Sequence, residues 1–157
     1  MTAALEAATA AGPPRERLHA LALGLFDAID DHSWVAAQLS SGRYLSGYPT
    51  IFDRFGQQVD GLGVPRARQF RATSVSVAYV VGAAGQNAAN ATAARAQPSG
   101  DRAGYLAEAA RAWADLDPQR YPFASAVADQ FREHDDRADF LAGVEVIVAG
   151  FSSLGQV

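Results

Sequence analysis

The stretch FLAGVEVIVAGF, Phe140 to Phe151, decides how the rest of the chain is read. Its β-branched run, Val144, Val146, Ile147 and Val148, has the propensity of a buried strand. Its apolar spacing is that of a helix, in which Gly143 and Gly150, seven residues apart, ought to be unfavourable. Asp136 with Asp139 three residues on resembles a capping box just upstream, which decides for helix. At about 100° per residue, Phe140, Val144, Ile147 and Phe151 then share one stripe. Leu141 and Val148 widen it on one side; Gly143, Val146, Gly150 and Leu154 widen it on the other. The apolar arc reaches roughly 200°, twice what a one-sided surface helix needs. Such a helix is covered from two directions, and for a chain of 157 residues a second subunit is the economical second cover.

The segment 66–95 has the same character. SVSVAYV, Ser74 to Val80, alternates like a strand, yet GAAGQNAANATAAR after it is too rich in alanine for a sheet. Phe70, Val77, Val81, Ala84, Ala88 and Ala91 fall on one helical face, so the whole segment is read as one long helix. Gly82, Ala83, Ala84, Gly85, Ala88 and Ala89 smooth its surface for close backbone approach. Two such helices from each subunit predict an isologous four-helix interface. Its expected residues are Val77, Val81, Ala84, Gly85 and Ala88 with Gly143, Val146, Ile147, Gly150, Phe151 and Leu154.

The other elements are also helical. Residues 1–12 read as a flexible lead-in, and 13–157 as one domain without repeats. Pro13 and Pro14 open a helix whose apolar positions are Leu18, Leu21, Ala22, Leu25, Phe26 and Ile29. Asp30 to Ser33 offer N-caps for a short helix from Trp34 to about Leu39. SSGRYLSGYP, 40–49, reads as a loop. Residues 50–60 are helical through Ile51, Phe52, Phe55 and Val59, and GLGVP closes that helix. AQPSGDRAG, 96–104, is a loop; Leu106, Ala109, Ala110, Trp113 and Leu116 mark another helix. Pro122 begins a further one through Phe123, Val127 and Phe131. The fold class is all-α.

Composition narrows the function. A net charge of −4 and a pI near 5.2 argue against this chain gripping nucleic acid by itself. All thirteen basic residues are arginine, which with the abundant alanine reads as the codon bias of a GC-rich bacterial genome. Cysteine is absent, so there is no disulfide framework, thiolate metal site or cysteine nucleophile. The start has no basic flank and carries Glu6, unlike a signal peptide, and no uncharged apolar run is long enough to span a bilayer. A soluble, cytoplasmic protein is expected.

Four stretches carry a family resemblance. DDHSW, 30–34, falls where certain regulatory domains often have His-Pro-Trp after their first helix. GLGVPRAR, 61–68, resembles their Gly-(Leu/Phe)-x-Pro turn before a long helix, and AYVVGAAGQNAA, 78–89, its Tyr-Val-x-Gly-Phe core. RYPFASAVADQFREHDDRADFLAGVEVIVAGF, 120–151, is similar to their ending, (Phe/Tyr)-Pro followed by Phe-x-x-Gly-(Leu/Val)-x-x-(Ile/Leu)-(Leu/Val)-x-Gly. Together they make residues 13–154 resemble the C-terminal ligand-binding and dimerisation domain of TetR-type transcriptional regulators.

The resemblance implies a homodimer, an unknown small effector, and repression of an operator through a helix-turn-helix. Only twelve residues precede the first regulatory helix, so DNA reading is expected to reside outside this chain. The alternative is a stand-alone dimeric binding or interaction protein that never meets DNA. The resemblance also implies an apolar pocket in each subunit, near Phe26, Ile29, Trp34, Tyr48, Phe52, Phe55, Tyr79 and Trp113. Tyr79, Gln86 and Asn90 share one face of the long helix and are candidates to orient the ligand; an amide on an apolar helix wants a partner, which the other subunit could equally supply.

No catalytic residue, cofactor or metal is expected. The histidines, His19, His32 and His134, lie in no HExxH arrangement. EHDDRAD, 133–139, holds a His-Asp pair and raises a remote reading as a metal-dependent all-α phosphohydrolase, but such a site needs more histidines. Arg66, Arg68 and Arg71 are the densest basic patch and read as a solvated face.

Overall fold

A computed structural model describes residues 12–32, 47–96 and 101–154, the last three of these by backbone alone. Every regular element among them is helical: α1 (Pro14–Asp31), α2 (Tyr48–Gly61), α3 (Arg66–Ala96), α4 (Arg102–Ala114), α5 (Pro122–Val127), a 3₁₀ turn (Ala128–Glu133) and α6 (Asp136–Leu154). The chain divides into two compact units, one formed by residues up to Ala88 and from Phe140 onward, the other by Ala89–Asp139. The expected lead-in and the short helix from Trp34 lie outside the described residues.

In the first unit the helical faces close on one core. Leu18, Leu21, Ala22, Leu25, Phe26 and Ile29 of α1 are all buried, as their spacing requires. Ile51, Phe55 and Val59 of α2 meet them, each fully shielded from solvent. Helix α2 starts at Tyr48, two residues inside the expected loop, because Pro49 fits a first turn without losing a hydrogen bond. It ends in a Schellman turn: Val64 N donates to Val59 O at 3.4 Å and Gly63 N to Asp60 O at 2.9 Å, with Gly63 at φ +78°. Gly61 admits α1, since a Cβ there would stand 2.8 Å from Pro14 Cγ.

The strand-like runs are helical. SVSVAYV lies inside α3, a helix of 31 residues, and FLAGVEVIVAGF lies inside α6. Their β-branched residues fit because Val77, Val80, Val81, Val144 and Val148 are buried, and packing overrides the small propensity cost. Phe140 is the junction, with its ring 4.6 Å from Phe26 and 5.9 Å from Tyr79. Tyr79 Oη donates to the Phe140 carbonyl at 3.1 Å. Glu145 is the acid in the apolar run; it pairs with Arg15 and, at 2.9 Å, with His19 Nε2, both on α1.

The second unit is smaller. Ala94, Leu106, Ala110 and Ala128 are its buried apolar residues, and Trp113 meets Phe131 edge-on at 4.6 Å. Asp101 caps α4 by accepting from Gly104 N at 2.6 Å. Beyond Val127 the chain tightens into the 3₁₀ turn, which carries Phe131, where the sequence had predicted continuous α-helix. The cap of α6 is Asp135, whose Oδ1 accepts from Arg137 N and Ala138 N at 3.0 Å each. The cap thus lies one residue upstream of the expected box at Asp136 and Asp139, whose carboxylates pair with His134 instead. Asp135→Ala is expected to cost about 1 kcal/mol; a chemical melt shifted by less than a few tenths would remove Asp135 from that role.

Candidate functional site

Six of the expected pocket residues meet in one core: Phe26, Ile29 and Phe55 are buried in it, and Tyr48, Phe52 and Tyr79 pack against it. Phe26, Ile29 and Phe55 are core, at 5%, 0% and 0% exposure. Tyr79 is committed to Phe140. Gln86 is exposed, Asn90 and Trp113 fall in the second unit, and Trp34 lies outside the described residues. Tyr48 and Phe52 remain: their rings stack at 5.9 Å, and Phe52 meets Phe70 of α3 at 5.5 Å.

Phe52 and Phe70 wall a cleft of about 480 Å³ between α2 and the first turns of α3. Its other lining residues are Asp53, Gly56, Gln57 and Asp60 on α2, and Arg66, Gln69 and Thr73 on α3. Asp53, Gly56, Gln57 and Asp60 stand at offsets of three, four and seven, hence on one helical face. In sequence it is an ordinary polar helix face; only the tight GLGVP turn, which folds α3 back against α2, makes it a wall. The available signal was Gly56, a mid-helix glycine that costs about 1 kcal/mol against alanine. A Cβ at Gly56 would meet Thr73 Oγ1 at 3.6 Å, an ordinary contact, so α2 packing does not demand glycine there.

The polar groups form a linked rim. Gln57 Nε2 donates to Asp53 Oδ2 at 2.8 Å. Gln69 Nε2 donates to Asp60 Oδ1 at 2.6 Å and to the Val64 carbonyl at 3.0 Å. Arg66 Nη1 donates to Gln69 Oε1 at 3.0 Å. The amide of Gln69 is thereby fixed by α2, the turn and its own helix.

The expected interface residues also divide. Val77, Val81, Ala84 and Ala88 are 1–7% exposed inside the chain's own core, so they are not free to face a partner. Phe151 is buried, Ile147 packs against the same core, and the Leu154 side chain lies outside the described residues. A Cβ on Gly143 would overlap the Tyr79 hydroxyl and ring, so the close approach it permits is made by its own chain. Gly85 is half-buried, while Val146 is 72% exposed and a Cβ on Gly150 would meet nothing within 4 Å. On α3 the outward stripe is one step round from the expected one: Val75, Ala78, Gly82 and Gln86. Val77, Val80 and Val81 turn inward together with Ala84 and Ala88, while Val75 stays outside.

His134 does not gather a metal site. Its Nε2 faces Asp136 at 3.0 Å and its Nδ1 faces Asp139 at 2.5 Å, so the carboxylates sit on opposite ring nitrogens. No group of three ligating side chains converges among the described residues, and no helix among them is long and apolar enough to cross a membrane.

The sequence profile of the Tetracyclin repressor-like, C-terminal domain family matches residues 8–154. The chain belongs to that family. Among solved structures it is similar to the transcriptional regulator SCO7222, a TetR from Streptomyces coelicolor, at 44% identity and a TM-score of 0.81. The match covers 97% of this chain and 72% of that one. No curated protein matches the sequence. The TetR C-terminal fold thus accounts for the helix order seen here, and the chain is TetR-like.

Proposed function

We propose that this chain is the effector-sensing and dimerisation domain of a cytoplasmic TetR-like repressor, acting on DNA through a helix-turn-helix outside these 157 residues. The observation that carries this reading is the family match across nearly the whole chain, joined to 44% identity with a TetR regulator. It is a binding role, not an enzymatic one. A small, largely apolar effector enters the cleft between α2 and α3, against Phe52 and Phe70.

The exposed stripes supply the second half of the reading. Val75, Ala78, Gly82 and Gln86 of α3, with Val146 and Gly150 of α6, leave an apolar, small-residue surface on the two longest helices. Two copies of each helix make a four-helix interface whose backbones approach closely at the glycines. Gln86, an amide amid apolar neighbours, then finds its partner across the dimer.

Helix α3 joins ligand to assembly. Arg66, Gln69, Phe70 and Thr73 line the cleft, while Val75 to Gln86 follow on the same rigid rod. A ligand that wedges α2 from α3 tilts the rod and with it the dimer. DNA-reading heads engage a palindrome only about 34–36 Å apart, or a multiple of that. An effector that prefers another spacing therefore releases the operator.

Sedimentation velocity tests this. The chain is expected to run as a dimer at micromolar concentration; a monomer at tens of micromolar would sink the proposal.

A further inference from the structure

Taking the cleft as the effector site, which rests on the reading above, its rim says what charge the effector carries. The aromatic faces of Phe52 and Phe70 are 5.5 Å apart between centroids, and both line the cleft. An aromatic face carries negative quadrupole and attracts cations. Around these rings stand two carboxylates, Asp53 and Asp60, and one guanidinium, Arg66, which leaves the rim one negative charge in excess.

The hydrogen bonds sharpen this. Gln69 spends its amide donors on Asp60 and the Val64 carbonyl, and its acceptor on Arg66. Gln57 spends a donor on Asp53. Each carboxylate receives one such bond but offers about four lone-pair sites. Both carboxylates therefore retain acceptor capacity, while the donors that remain belong to Arg66 and Gln57. Thr73, 1% exposed, turns its hydroxyl toward Gly56 at the floor.

Gly56 lies at the floor of the cleft. Nothing in its backbone requires glycine, since its φ is not positive, and space exists for a Cβ. What glycine provides is an open floor between the aromatic wall and the acidic rim.

We infer that the cleft between α2 and α3 binds a compact organic cation, an arylalkylammonium whose flat apolar body lies against Phe52 and Phe70 and whose ammonium meets one of the two rim carboxylates, Asp53 or Asp60. A neutral analogue keeps the stacking and loses the carboxylates. An anionic analogue is repelled by the rim and by a chain of net charge −4.

Three soluble probes of matched shape separate these cases: tryptamine, tryptophol and indole-3-acetate. In titration calorimetry or ligand-observed NMR, tryptamine is expected to bind at least ten-fold tighter than tryptophol, and indole-3-acetate most weakly. In the double variant Asp53→Asn, Asp60→Asn the preference for tryptamine is expected to vanish while tryptophol binding stays unchanged. Gly56→Leu is expected to remove all binding with the helical circular dichroism intact. Equal binding of the three probes, preference for the anion, no binding by any, or undiminished binding in Gly56→Leu would each overturn the inference. Sedimentation of the same samples separates the two readings. A dimer that ignores tryptamine defeats this inference alone; a monomer that binds it defeats only the regulatory reading.

Discussion

Gly143→Leu is expected to lose about 2–4 kcal/mol of folding stability. The new Cβ would overlap the Tyr79 hydroxyl and would reach Cε2 at 3.0 Å, so the ring has to leave its seat. Leaving means giving up the hydrogen bond to the Phe140 carbonyl and the stack on the Phe140 ring at 5.9 Å. Overpacking a closed site costs about 1–3 kcal/mol, and a lost hydrogen bond about 1 more. Against a usual total of about 5–15 kcal/mol the loss is severe. Urea denaturation should show the midpoint fall steeply, and Gly143→Ala should already destabilise because the overlap begins at the Cβ. Adding Tyr79→Ala to Gly143→Ala should recover part of the loss. A Gly143→Leu protein as stable as its parent would mean that Tyr79 does not sit over this glycine.

Val146→Glu is expected to do the opposite: leave the subunit folded and raise the dimer dissociation constant at least a hundred-fold, about 2.7 kcal/mol. Val146 is 72% exposed, so within the chain its replacement is worth less than about 0.5 kcal/mol. Across an isologous interface each glutamate confronts an apolar surface and, near the axis, its own copy. Gly150→Leu should behave likewise, because its Cβ meets nothing within 4 Å and leucine favours the helix by about 1 kcal/mol over glycine. Melting should be compared below the dissociation concentration, since dimerisation itself raises apparent stability. Dimers of parental affinity in both variants would place the interface elsewhere.

The fold was legible because apolar spacing and burial agree. The α1 stripe from Leu18 to Ile29 lies wholly in the core, and α3 and α6 are helical despite their valines. What the spacing could not supply is which side of a wide apolar helix turns inward. Val77 and Val81 went to the core with Ala84 and Ala88, and Val75 went outward, because the contacts made by neighbouring helices set the rotation of α3. The two glycines of FLAGVEVIVAGF separated for a similar reason: one seats a tyrosine sixty-four residues upstream, and no local pattern records that. The cleft was hidden because Asp53, Gln57 and Asp60 look like any hydrated helix face until α3 folds back beside them. Among the aromatic residues at helical spacing, Phe26 and Phe55 filled core while Phe70 and Trp113 stayed exposed.

Two contacts fix the rotational phase of the last helix: Gly143 beneath Tyr79, and Glu145 between Arg15 and His19. Helical geometry turns the chain about 100° for every residue added. A single-residue insertion between Glu145 and Val148 would therefore swing Val148 and Phe151 out of the core and roll the open Gly150 face away from its present direction. This helix can accept substitutions on its outer side, but within that interval it cannot accept a change of length. Relatives that keep this fold should therefore place their insertions and deletions elsewhere in the chain.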